Sequence, residues 1–149
     1  MNGLPLKWQS AFWVAAQFLL LFLLVPGSAP WHWQPVATGL MAAGAALALW
    51  VFAHNRPGNF NIRPEPKSGA RLVTTGPYRF VRHPMYVALL LATAGLVAAS
   101  SQTGLWVLWG LLWGVLNFKA ALEERLLTAQ WAEYARYCAS VSRFIPGLW

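Results

Sequence analysis

Two groups of residues in this chain have the types and spacing to do chemistry: Arg82-His83-Pro84-Met85-Tyr86, and further along, Glu123-Glu124. The first group closes a polar, rigid stretch, Gly76 to Tyr86, that holds two prolines, two arginines, a histidine and two tyrosines. An uncharged apolar run, Val87 to Ala99, follows at once. Pro84 suits the first position of a helix, where its missing N–H would have no partner and its φ is already helical. Arg82 and His83 then lie beside the unpaired N–H groups of a helix start, which favour anions. If the hydrophobic segments that follow form a hairpin, the chain returns to its starting face and brings Glu123 and Glu124 to the same corner. Cations and acids would meet at a bilayer edge, where each charge needs a partner or water. Spacing alone leaves two readings open. One is a ligand site. The other is a structural anchor in which the glutamates neutralise Arg82 and His83.

The composition sets the solvent. Of 149 residues, 58% are hydrophobic and only 10% are charged; soluble domains carry about 25% charged residues. Ten tryptophans agree with a bilayer protein, since indole favours the headgroup region. The net charge of +7 would suggest nucleic acid in a soluble chain. Here the basic residues fall between and after the hydrophobic runs, where they orient a membrane protein instead, because cytoplasmic loops collect Lys and Arg. No nucleic-acid partner is expected. The single cysteine, Cys138, excludes an internal disulfide and a multi-cysteine metal site, and no metal is expected.

The elements that must position the two groups are read as four transmembrane helices in an all-α integral membrane domain. The first, residues 8–25, is about 27 Å long as a helix. A cleaved signal peptide is the weaker reading, because the run is long for such a leader and prolines crowd the cleavage region. His32, between Trp31 and Trp33, reads as an interfacial residue between aromatic anchors. The second run, residues 36–53, is rich in Gly and Ala at spacings of four, so it should pack closely on a neighbour. Residues 54–83 form a long loop with six basic residues (Arg56, Arg63, Lys67, Arg71, Arg79 and Arg82) against one acid, Glu65, and should be cytoplasmic. The third and fourth runs, residues 84–100 and 103–118, form a tight hairpin. Gly110 and Gly114 make a GxxxG pattern that predicts close helix contact. Trp106, Trp109 and Trp113 share a face that should meet lipid. The fourth helix should project beyond the membrane, bending near Leu126–Ala129, into a C-terminal segment, residues 119–149. There Leu127, Trp131, Tyr134 and Cys138 form one face of an amphipathic helix that would lie on the membrane or roof a pocket. Four spans place both termini and the charged segments on the cytoplasmic side.

The ordered set Gly76-Pro77-Tyr78, Arg82-His83-Pro84-x-Tyr86, Glu123-Glu124, Tyr134-x-x-Tyr137 and Arg143-Phe144-Ile145-Pro146 resembles the isoprenylcysteine carboxyl methyltransferase family. Membrane phospholipid methyltransferases share its Arg-His-Pro-x-Tyr and Glu-Glu elements. The resemblance covers about Leu72 to Pro146. It implies a small helical membrane enzyme that uses S-adenosylmethionine, held on the cytoplasmic side by the loop, the start of the third helix and the segment after the fourth. Carried over by position, Leu72, Val73, Thr74, Gly76 and Tyr78 would line the adenosine pocket, partly through backbone. Val81 and Pro84 continue the cofactor-binding stretch, His83 and Tyr86 would contact the cofactor, and Glu123 and Glu124 would hold its polar groups. The cofactor's carboxylate suits a helix N-terminus, and its ammonium and ribose hydroxyls suit carboxylate acceptors. Candidate catalytic residues are Arg82, Glu124 and Arg143, with either arginine orienting an anionic substrate group. Ala88 replaces a glycine common in the family two residues after the motif tyrosine, and its methyl would narrow the helix approach or the lipid-side entrance.

The expected activity is methyl transfer to a lipidic or membrane-partitioned small molecule bearing a carboxylate, thiol or amine. No dedicated general base is evident, and alignment and desolvation account for large rate factors. Two alternatives belong to other classes. Sterol reductases look similar at the Arg-His-Pro-x-Tyr helix start and use NADPH, although a dinucleotide phosphate prefers cations to Glu123-Glu124. A non-enzymatic adaptor would use the basic loop and amphipathic tail to bind anionic lipid or a protein partner.

Overall fold

The computed structural model describes residues 5–32, 34–55 and 72–148. Most of the basic loop, with Arg56, Arg63, Lys67 and Arg71, lies outside the described residues, as does Trp33. The described chain forms α1 (Leu6–Gly27), α2 (Pro35–His54), a 3-10 turn (Gly76–Arg79), α3 (Pro84–Ala99), α4 (Leu105–Gln130) and α5 (Tyr134–Ser140). Prolines open α2 and α3, where no N–H is needed. Three helices, α1, α2 and α4, are long and apolar enough to cross a membrane. The third of the four expected spans is a shorter apolar helix of 16 residues, about 24 Å long.

Hydrogen bonds define the two ends of the bundle. At one end the His32 N–H donates to the Ala99 carbonyl at 2.8 Å, and Gln102 Nε2 donates to the Gly27 carbonyl at 2.7 Å. At the other end, the close of α2, the 3-10 turn, the start of α3 and the polar half of α4 come together. Between the ends, Leu20 and Leu24 of α1, Leu90 and Val97 of α3, and Leu105, Leu112 and Leu116 of α4 make the core. Large apolar side chains such as Phe12, Phe22, Leu49, Val107 and Phe118 point outward, as expected where the solvent is lipid.

The small residues of α2 act as their spacing predicts. A Cβ on Gly44 would lie 2.7 Å from both the Ala88 carbonyl and the Ala92 nitrogen of α3. One on Gly95 of α3 would lie 2.7 Å from the Ala37 carbonyl of α2. Backbones meet at both points, so any side chain would force the helices apart. Ala88 is buried, and it meets Gly44 through its carbonyl; the methyl that Gly44 accommodates is that of Ala92.

Three expectations change. Among the described residues, nothing lies within 4 Å of a Cβ built on Gly110 or Gly114, so the GxxxG pattern marks no close contact here. Trp109 does not simply face lipid: its indole N–H donates to the Leu90 carbonyl of α3 at 3.1 Å, while Trp106 and Trp113 remain exposed. The amphipathic face from Leu127 to Cys138 is interrupted. The helix runs through Leu126–Ala129 to Gln130, then Trp131 turns extended (φ −125°, ψ 114°). The new helix, α5, buries Tyr134 and Tyr137 rather than a Trp131–Cys138 stripe.

Candidate functional site

The site is built from three returns of the chain to the polar end. The first is the 3-10 turn docking on the end of α2. Gly76 takes φ +60°, a conformation side chains rarely adopt, and a Cβ there would sit 2.6 Å from the His54 ring. His54 Nε2 lies 3.0 Å from Thr75 Oγ1, Asn55 Nδ2 donates to the Tyr78 hydroxyl at 3.2 Å, and Phe80 meets Trp50 with ring centroids 6.0 Å apart. His54 and Asn55 were not singled out from the sequence; they are ordinary helix-end residues until the turn is seated on them.

The second return is the C-terminal tail. Val81 and Ser142 form an isolated parallel bridge, with the Arg82 N–H donating to the Ser142 carbonyl at 2.8 Å and the His83 N–H to the Arg143 carbonyl at 3.2 Å. Arg143 is thereby carried beside Arg82. Tyr137 locks the same region by donating its hydroxyl to the Tyr78 carbonyl at 2.5 Å. Burial pushes the phenols of Tyr134 and Tyr137 well up and Tyr78 up to about 12, so these are neutral hydrogen-bonding groups. Burial also pushes the Cys138 thiol up, away from a reactive thiolate.

The third return is α4, and it brings both acids to the corner. Glu124 is a hub. Its Oε1 accepts from Arg82 Nε at 2.9 Å and Arg143 Nε at 3.1 Å and lies 3.0 Å from His83 Nε2, while its Oε2 accepts from Arg143 Nη2 at 2.6 Å. Arg82 also donates through Nη1 to the Cys138 carbonyl at 2.8 Å and to the Val141 carbonyl. Arg143 reaches Asn117 Oδ1 at 3.3 Å, a partner absent from the sequence reading. Hydrogen bonding to Glu124 pushes the Arg143 guanidinium further above its ordinary value. Glu123 sits differently. Its Oε2 accepts from the Tyr86 hydroxyl at 3.1 Å and lies 3.6 Å from His83 Nδ1, and its side chain is 30% exposed against 12% for Glu124. The His83 ring stacks on Tyr86 with centroids 5.3 Å apart and tilts against Phe144 at 5.9 Å.

Arg82, His83, Pro84, Tyr86, Glu123, Glu124 and Arg143 are therefore brought together, with Val81 buried beneath the tail bridge. Leu72 and Thr74 line a separate polar cavity of about 450 Å³ with Arg79, Arg136 and Tyr137; Val73 lies between them, half-buried. Tyr86 also lines a second, apolar cavity of about 530 Å³ between α1, α2, α3 and α4. Gln17 and Lys119, which share its wall, were not singled out as site residues. A glutamine in a first span and a lysine just past the fourth apolar run, in the middle of α4, gain meaning only when the bundle closes.

Fold and site together define a helical membrane protein with an ionic corner at one end and an apolar cavity beside it. The phospholipid methyltransferase family model matches residues 33–133. The chain belongs to this family, in agreement with the resemblance carried by its motifs. Among curated proteins it is similar to the cobalt-zinc-cadmium resistance protein CzcN of Cupriavidus metallidurans, 34% identical over 146 residues, covering 91% of this chain and 62% of that one. It is also similar to the nickel-cobalt-cadmium resistance protein NccN of Alcaligenes xylosoxydans xylosoxydans, 25% identical over 138 residues, covering 91% of this chain and 63% of that one. The chain thus spans under two thirds of the length of these relatives.

Proposed function

We propose that this chain transfers a methyl group from S-adenosylmethionine to a lipidic or membrane-partitioned acceptor, at a site on the cytoplasmic face. One observation carries the reading: Tyr86 belongs to both halves of the site. Its hydroxyl binds Glu123 in the ionic corner, and its ring lines the apolar cavity. A polar donor and an apolar acceptor held on either side of one side chain would be adjacent, and methyl transfer needs that adjacency above all.

The corner suits the donor. Glu124 is spent on Arg82, His83 and Arg143, so its part is to hold the corner in shape. Glu123, more exposed and engaged through one oxygen among the described residues, would take the cofactor's ammonium or ribose hydroxyls. The start of α3 would favour its carboxylate only through the helix dipole. The Arg82 and His83 N–H groups, expected to be unpaired, are taken by the Ser142 and Arg143 carbonyls, and both arginines are bonded to Glu124. Leu72, Val73, Thr74, Gly76 and Tyr78 would receive the adenosine, with Gly76 fixing the turn that presents them. When bound, the cofactor supplies an electrophilic methyl group on a sulfonium. His83, packed in a triangle of rings with Tyr86 and Phe144 and facing both carboxylates, orients the corner. The basic loop supports a cytoplasmic orientation.

The relatives are named for resistance to cobalt, zinc, cadmium and nickel. The same setting is part of the proposal: the methylated product would support tolerance of such metals. Purified protein incubated with methyl-labelled S-adenosylmethionine and a membrane lipid extract should release label into an organic-extractable product. Absence of both cofactor binding and labelled product would end this reading.

A further inference from the structure

Lys119, in the body of α4, is 2% exposed. A lysine at this depth is costly, and long basic side chains ordinarily snorkel toward water. This one turns inward across the bundle. Its ammonium donates to Gln17 Oε1 of α1 at 2.6 Å and sits 5.3 Å from the centre of the Tyr86 ring. Gln17 interrupts an otherwise apolar and aromatic run from Ala11 to Val25. Tying α1 to α4 requires a donor and an acceptor but no net charge; a second amide would serve. A charge kept at this cost points to an electrostatic task. The contacts lead to the donor site. Tyr86 turns its ring toward Lys119 and its hydroxyl to Glu123 Oε2 at 3.1 Å. Glu123, one turn further along α4, acts on the ammonium as an opposite charge. The ammonium thus meets an amide oxygen, an aromatic face and the field of a carboxylate.

We infer that Lys119 is a specificity-determining residue of the donor site: its charge, fixed by Gln17 behind the Tyr86 ring, offsets the pull of Glu123 on the sulfonium, so that the corner holds the charged donor no more tightly than its demethylated thioether. This rests on the methyltransferase reading of the corner. S-adenosylmethionine and S-adenosylhomocysteine differ by one methyl group and one positive charge; the ammonium, carboxylate, ribose and adenine are common to both. Attraction of Glu123 for the sulfonium would stabilise the donor before reaction, and binding that is stronger in the ground state than in the transition state slows a reaction. A fixed cation removes that excess and leaves Glu123 free to accept from the groups that both forms carry. Fields add. The effect of Lys119 on a nearby cation is therefore exerted whether or not its ammonium is itself paired. One charge across a site of this size, at the effective dielectric of partly buried protein, changes a ratio of affinities roughly three- to tenfold.

The test titrates the full chain in a nonionic detergent with labelled S-adenosylmethionine and with S-adenosylhomocysteine, and reads the ratio of the two affinities. Changes of shape or stability act on both ligands alike and cancel in that ratio; a change of charge does not. The unmodified protein should bind the thioether at least as tightly as the sulfonium. Lys119→Met should shift the ratio toward the sulfonium roughly three- to tenfold. Gln17→Glu, which sets a carboxylate against the ammonium, should shift it the same way with Lys119 in place. Lys119→Arg, which keeps the charge, should hold the ratio within about twofold. A sulfonium preference in the unmodified protein would overturn the inference whether or not the variants fold. So would an unchanged ratio in Lys119→Met or Gln17→Glu, or the Lys119→Met shift repeated in Lys119→Arg. Saturable binding of both ligands with an unchanged ratio overturns the role of Lys119 and leaves the methyltransferase reading standing. Binding of neither ligand by the unmodified protein removes that reading and the inference with it.

Discussion

Glu123 and Glu124 are adjacent in sequence, yet the geometry predicts that their neutralisation has opposite consequences. Glu124→Gln keeps the shape and removes the charge. It leaves the Arg82 and Arg143 guanidiniums facing a neutral amide whose NH₂ group cannot accept their bonds. Glu124 is 12% exposed, Arg82 9% and Arg143 21%. Breaking a buried pair from one side costs about 3–5 kcal/mol, and partial exposure lowers that to roughly 2–4 kcal/mol. By the scaling for domains of this size, the midpoint of thermal unfolding should fall by roughly 5–12 °C. Because Arg143 carries the tail and Arg82 holds the carbonyls of Cys138 and Val141, the segment after α5 should also become protease-sensitive. Glu123→Gln removes a partly exposed acceptor of one hydroxyl and should leave the midpoint within about 2 °C. Its loss should appear in cofactor affinity. The assay is thermal unfolding in detergent, with limited proteolysis and S-adenosylmethionine titration on both variants. An unchanged midpoint for Glu124→Gln, or a larger drop for Glu123→Gln, would refute the division of labour between the two acids.

Other predictions follow from single contacts. Gly44→Ala should destabilise the α2–α3 pair by about 1–3 kcal/mol, since the added methyl meets backbone. Gly110→Ala and Gly114→Ala, which meet open space, should each stabilise by roughly 0.5–1 kcal/mol through helix propensity; parallel unfolding curves in one detergent check all three. Gly76→Ala should cost about 1–2 kcal/mol from its left-handed backbone alone, and should weaken cofactor binding because the displaced turn contains Tyr78; pairing it with His54→Ala should recover only the part due to the ring. Tyr86→Phe removes the hydroxyl bonded to the partly exposed Glu123, worth about 1 kcal/mol, and should lower methyl transfer roughly fivefold as read by labelled product.

Much of this organisation was legible from residue type. Pro84 announced the start of α3, the small residues of α2 announced a close partner, and the uncharged stretch after Tyr86 announced an apolar helix. The meeting of Glu123-Glu124 with Arg82-His83 followed from one hairpin. What could not be read was the distribution of bonds within that meeting. Two adjacent glutamates look equivalent in sequence; only the parallel bridge between Val81 and Ser142, which delivers Arg143, makes Glu124 the hub. Short backbone pairing of this kind has no periodic signature. The GxxxG pattern misled because small residues permit close packing without causing it, and α4 turns Gly110 and Gly114 away from its described neighbours. The interrupted face after Leu127 has a similar lesson. Spacing assumed one continuous helix, whereas Trp131 turns extended and Tyr134 and Tyr137 re-enter to cover the corner. Lys119 and Gln17 were invisible as a pair because their contact spans the first and last long helices.

The central claim is that the ionic corner holds a sulfonium cofactor through Glu123, on a frame held by Glu124. Equilibrium titration of the purified, detergent-solubilised protein with labelled S-adenosylmethionine tests it most directly. Saturable one-to-one binding is predicted for the unmodified chain, weakened at least tenfold in Glu123→Gln with its unfolding midpoint retained. No binding by the unmodified chain, or binding that Glu123→Gln leaves intact, would contradict it.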